Sequence, residues 1–117
     1  MITFKTHEFD VHINPKKIAF LSKEPFEQDY IVCLSTGVGL KCTGTPTYDE
    51  MLNILAGIDG ADHRRFKMPN GLDTCANPDF LFLCTVDVAK TTIVYEGGGR
   101  CVVEVGLEIV KEAFGCE

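Results

Sequence analysis

NPKKIAFLSKEPFEQDYIVCLSTGVGLKCTGTPTYDEMLNILAG, residues 14–57, is the stretch from which the rest of the chain is read. Asn14-Pro15 opens it, because proline lacks an N–H and biases the residue before it away from helix. Ile18, Ala19, Phe20 and Leu21 then form a first apolar strand, and residues 25–29 are a polar loop tip. Residues 30–35 are a second strand, with Ile31 and Cys33 on one side and Val32 and Leu34 on the other. Apolar residues on both sides predict a strand covered on both faces. Thr36-Gly37-Val38-Gly39 supplies a hairpin turn in which glycine can take positive φ, and residues 40–43 return. Thr47 followed three residues later by Glu50 is a capping box. Tyr48, Met51, Leu52 and Leu55 fall on one face of the helix it opens, and Gly57 is the expected stop.

The same punctuation recurs further along the chain. Asn77-Pro78 opens a second apolar run, residues 80–85. Residues 91–95 and 101–105 flank the turn Gly97-Gly98-Gly99. Residues 107–114 form a second helix, with Ile109, Val110, Ala113 and Phe114 as its apolar face and Gly115 as its stop. The match extends backward: residues 9–15 (FDVHINP) and 72–78 (LDTCANP) share Asp, Asn and Pro, and Phe4-Lys5 matches Phe66-Lys67. Short strands at 2–5 and 9–13 complete the first unit. The fold class predicted is α+β: two tandem β-rich repeats, each ending in one α-helix, with antiparallel sheet(s) in a pseudo-twofold arrangement. The first repeat unit is 1–57, the linker 58–65 and the second repeat unit 66–117. Units of under about 60 residues rarely stand alone, so the two are expected to form one compact body. Either one continuous sheet carries both helices on one face, or two small curled sheets pack face to face.

Composition narrows the function classes. The net charge is −6 and neither half is basic, which disfavours a nucleic-acid backbone binder. No apolar run reaches transmembrane length, and residues 1–10 lack the basic head and apolar centre of a signal peptide, so a cytoplasmic protein with no membrane partner is expected. In that compartment the six cysteines are read as reduced, buried thiols, since Cys33, Cys42, Cys84 and Cys101 each replace a small hydrophobe in a strand pattern.

Met1-Ile2, Asn14, Ile18, Ile31-Val32, Gly37 and the helix at 48–55 in the first unit carry a wider pattern. In the second unit it is carried by Asn77, Ile93-Val94, Gly99, Val102-Val103-Glu104 and Glu108-Ile109-Val110. Each unit thereby resembles the short domain of a small flagellar-operon (FlbD-like) protein family. The resemblance implies a regulatory or assembly role without a catalytic motif. The tandem copy, the cysteines and the linker depart from that family's single-copy pattern, so no functional residue is carried over.

Candidate sites are few. His63-Arg64-Arg65-Phe66-Lys67 is the basic cluster, suited to an anion, a nucleic acid or an acidic partner, with Phe66 able to stack on a base. Arg100, beside the three glycines, is the remaining basic candidate. The glycines lack the Lys-Ser/Thr ending of a phosphate loop and lead into a strand, which makes them a hairpin turn. His12 and Cys75 occupy equivalent places in the two units, but no metal-ligand spacing supports a zinc site. Cys75 near His63 is the sole nucleophile candidate. No cofactor and no catalytic residue is assigned. The functional expectation is a small non-enzymatic binding or regulatory protein acting on another protein, of the kind a phage or mobile element encodes, and able to form homo-oligomers through free sheet edges. The alternative is a binder of a small anionic ligand such as a nucleotide, held between the repeats by Arg64, Arg65, Lys67 and Arg100.

Overall fold

The computed structural model describes residues 1–58, 63–79, 82–95 and 97–115. Strands β1 (Ile2–Lys5) and β2 (Asp10–Ile13) form a hairpin in which Ile2 faces Ile13 and Phe4 faces Val11. The Thr6 hydroxyl closes its turn, donating to Phe9 O at 2.8 Å and accepting from Phe9 N at 3.1 Å. Asn14 then breaks the ladder: its side chain accepts from Lys16 N at 3.0 Å, and Pro15 starts a single 3-10 turn at Pro15–Lys17. Strands β3 (Ile18–Ser22), β4 (Tyr30–Leu34) and β5 (Gly39–Cys42) follow as a meander, and helix α1 (Tyr48–Ala56) comes next.

Strands β6 (Arg64–Lys67) and β7 (Asp73–Ala76) make a second hairpin. Strands β8 (Phe82–Asp87), β9 (Lys90–Val94) and β10 (Arg100–Val103) form a second meander, and helix α2 (Leu107–Phe114) ends the described chain. All strand pairs among the described residues are antiparallel, so the fold is α+β. Residues 59–62, 80–81, 96 and 116–117, including half of the expected linker, Phe80 and Cys116, lie outside the described residues. The side chain of Cys84 does too.

The sheets differ from both expected versions. Three are present among the described residues: β1-β2, β10-β9-β8, and a five-stranded sheet ordered β5-β4-β3-β7-β6. The β6–β7 hairpin joins the sheet of the first half because β3 offers a free edge on the side away from β4. Phe20 pairs with Ala76 there, and Asn77 N donates to Ala19 O at 2.8 Å. Pro78, without an N–H, follows where that contact ends. Strand β6 begins at Arg64, so Arg64 and Arg65 belong to a sheet edge and not to the linker.

Two apolar clusters result, one on each side of this middle sheet. The first gathers Ile2, Phe4, Ile18, Leu21, Val32 and Cys75 beneath the α1 face of Tyr48, Met51, Leu52 and Leu55. The second gathers Ala19, Phe20, Phe66, Ala76, Ile93 and Val103 beneath Val110 of α2. A bulge between Ile18 and Phe20 makes this division possible. It places the neighbours Ala19 and Phe20 in one cluster while Ile18 and Leu21 enter the other, which strict alternation would not allow. The expectation of a doubly covered β4 is met: Val32 faces the first cluster and Cys33 packs on the second.

Helix α1 is capped as its sequence requires. Thr47 accepts from Glu50 N, Glu50 reaches back to Thr47 N, and Gly57 is the C-cap. Helix α2 has no side-chain cap at Gly106 and ends at Gly115 in the left-handed conformation, φ 70°. Its apolar face is narrower than expected. Val110 is buried and Ala113 and Phe114 are half-buried, but Ile109 is 57% exposed, because this eight-residue helix presents little more than one stripe to the meander. The tips of the β4–β5 and β9–β10 hairpins lie against each other. A Cβ at Gly97 would run into the backbone of Thr36 and Gly37, so glycine there permits the contact.

Candidate functional site

Of the basic cluster His63–Lys67 and the turn residue Arg100, Arg64, Arg65, Phe66 and Lys67 sit on β6, the outer strand of the five-stranded sheet. The structure sends them in different directions. Arg64 Nε donates to Ala113 O at 3.0 Å, at the C-terminal end of α2, where a cation is electrostatically favoured. Phe66 is buried and meets Phe114 edge-on, with ring centroids 5.4 Å apart. It anchors α2 and offers no stacking surface. Arg65 reaches the other face, donating to Asp73 Oδ2 at 2.9 Å and to Asn53 Oδ1 at 3.4 Å. Lys67 shares that face and has no ion-pair partner among the described residues. Arg100 lies on β10 beside a small depression that includes Phe20, Met68 and Asn70. The four cations proposed for one anion therefore do not converge.

What Arg65 and Lys67 do line is a groove of about 760 Å³ between the loop at 23–29, the approach to α1 at 43–49, and the β6–β7 hairpin. Tyr48 and Leu52 are its buried lining. The Tyr48 hydroxyl donates to Asp73 O, fastening α1 to β7, and Lys23 Nζ sits 6.0 Å from the Tyr48 ring centroid. At the same end Tyr30 donates to Pro46 O at 2.6 Å and its ring meets Tyr48 edge-on at 5.4 Å. Burial raises both phenols above their ordinary range, so they remain donors. The rim is mixed in sign: Lys23, Arg65 and Lys67 face Glu27, Asp29, Asp49 and Asp73. Asp73 is taken by Arg65, and Asp29 lies 3.9 Å from Lys41.

The loop that walls the groove carries a residue that sequence reasoning passed over. Glu24-Pro25-Phe26-Glu27 is a β-turn closed by Glu27 N to Glu24 O at 3.1 Å, and Phe26 at its tip is 100% exposed. Pro25 presets the turn and gives the ring a fixed pedestal. The available signal was a lone phenylalanine between Glu24 and Glu27, with no apolar residue two positions either side to share a strand face.

The thiols are placed as small hydrophobes. Cys33, Cys42, Cys75 and Cys101 are free, and only Cys33 is not fully buried. Cys75 points to Leu52 O at 3.4 Å. Burial pushes the Cys33 and Cys75 thiols up to about 11 and the Cys101 thiol up to about 12, so Cys75 is no thiolate nucleophile at neutral pH. His12 and Cys75 are not brought together: His12 Nδ1 contacts Thr3 Oγ1 at 2.9 Å, and Cys75 lies in the first core. His63 is buried and its Nε2 donates to Ile18 O at 2.8 Å. Among the described residues no group of three or more His, Cys, Asp or Glu side chains is arranged to hold a metal.

These thiols predict an alkaline limit. Unfolded cysteines ionise near 9 and the folded ones only near 11 to 12, so above pH 9 the unfolded chain binds fewer protons. Stability is then fully present below pH 9 and falls as pH rises toward 11. Thermal unfolding midpoints across that window should drop steadily, and a flat profile would mean that the thiols are solvated.

No helix among the described residues is long and apolar enough to cross a membrane. Comparison of the chain with family models, with curated proteins and with solved structures returns no match.

Proposed function

We propose that this is a small, non-enzymatic protein that binds another protein, and that the loop at 23–29 is its contact element. The observation carrying this reading is Phe26: a fully exposed phenyl ring on a proline-fixed turn contributes nothing to the fold, whereas a rigid aromatic is the favoured anchor of an interface. The acids Glu24 and Glu27 beside it suit a partner pocket with a basic rim. The described cysteines, free and mostly buried, fit a reducing compartment such as the cytoplasm.

The reading includes an internal duplication. Its support is a set of paired details. Asn14 accepts from Lys16 N at 3.0 Å and Asn77 from Asp79 N at 2.9 Å. Lys5 O accepts from Thr43 N at 2.9 Å and Lys67 O from Glu104 N at 2.6 Å. Ile2 faces Ile13 as Arg64 faces Ala76, and Gly37 and Gly98 both take positive φ, 94° and 89°. In this alignment Thr36 corresponds to Gly97, and the two lie in contact, as residues beside a pseudo-twofold axis would. The second copy joins β8 to β9 by the two residues Val88 and Ala89, where the first has the long loop bearing Phe26. On this reading that loop is an addition to one copy of a shared scaffold, which is where a contact function is expected.

A photo-reactive amino acid placed at position 26 should crosslink to one partner in cells, and one at position 88, also almost fully exposed, should not. Equal crosslinking from the two positions, or none from position 26, would remove the proposal.

A further inference from the structure

The geometry points to the groove beside this loop as a site for a short zwitterionic peptide, an inference separate from docking through Phe26. Once the internal pairs Arg65–Asp73 and Lys41–Asp29 are set aside, four charged groups on the rim remain without an ion-pair partner among the described residues: the cations Lys23 and Lys67, and the carboxylates Glu27 and Asp49. A polyanion such as a nucleoside triphosphate would meet the cations only by approaching the carboxylates, and like charges brought together are repulsive. A ligand with a carboxylate at one end and an ammonium at the other satisfies both sets. Tyr48 and Leu52, packed into the protein and also lining the groove, give it an apolar floor for a side chain. The volume, about 760 Å³, lies within the range of about 300–1,000 Å³ typical of small-ligand sites.

The site is held in place. Tyr48 is tied to Asp73 through its hydroxyl, Asn70 Nδ2 donates to Lys23 O at 2.9 Å, and Arg65 links β6 to both Asp73 and Asn53 of α1. The walls therefore come from separate elements but share hydrogen bonds, so little ordering is left to be done on binding.

The test uses the full chain and the tripeptide Gly-Leu-Gly with free termini as probe, read by amide chemical shifts. Saturable shifts around Tyr48 and Lys67 are expected. Acetylating the amine or amidating the carboxylate should weaken binding by about tenfold each, the loss expected for one charge-assisted contact. Lys67→Met should weaken the free tripeptide while leaving the carboxyl-amidated form unchanged, which a merely structural role would not do. Phe26→Ala should leave tripeptide binding intact, so failure of the docking proposal and failure of this one are distinguishable. No saturable shift at concentrations of about 10 mM would overturn the inference, since weaker binding falls short of about 3 kcal/mol. So would equal binding of the doubly capped tripeptide, or displacement of the tripeptide by inorganic triphosphate.

Discussion

Phe20→Ala is expected to lower the free energy of unfolding by about 3–5 kcal/mol, the range for removing a large buried ring. The side chain is 6% exposed, lies in the second core and meets the Tyr95 ring edge-on, centroids 5.7 Å apart. Its strand is the middle one of five, hydrogen-bonded to β4 on one side and β7 on the other. The backbone there is held by both neighbouring strands and cannot move inward to fill the space, so a cavity cost adds to the lost burial. Urea unfolding followed by circular dichroism provides the measurement. A loss below about 1 kcal/mol would place the ring outside a packed core.

Leu55→Ala should cost about 2–5 kcal/mol by the same mechanism in the other core. Leu55 has no exposed surface and lies with Met51 and Leu52 on the face that α1 turns to the sheet. A domain of this size has a total stability of about 5–15 kcal/mol, so the Phe20→Ala Leu55→Ala pair is expected to be largely unfolded at room temperature. The two residues belong to separate clusters, and the losses should add. Each single variant should still unfold in one transition. Ile18 and Leu21 of β3 pack in one cluster and Ala19 and Phe20 in the other, so neither core can be lost while the other keeps its sheet.

The local elements were legible because short-range signals dictated them. The Thr47 and Glu50 capping box, the Gly57 stop and the second helix at 107–114 all follow from patterns within a few residues of each other. The assembly of strands into sheets was not legible. The sequence around Phe20 reads as an unbroken apolar run, and a run with no alternation cannot announce a bulge that divides it between two cores. Nor does anything near Ala76 disclose that its ladder partner is Phe20. The basic cluster was visible as composition, but strand geometry alternates faces. It therefore sent Arg64 and Phe66 to α2 and Arg65 and Lys67 to the groove. Phe26 was overlooked because a loop containing Glu24, Glu27, Gln28 and Asp29 reads as polar from its neighbours.

Gly97 opens a run of three glycines, a residue type that in a turn ordinarily permits an unusual backbone angle, yet positive φ is taken by Gly98 and not by Gly97. Its constraint comes from Thr36 and Gly37, in a distant part of the chain. Drift at position 97 is therefore tied to drift in the other hairpin: a side chain can be accepted there only together with a shortened or redirected turn at 36–38. Each tip sets the space open to the other, so the two hairpins can lengthen or change composition only as a pair.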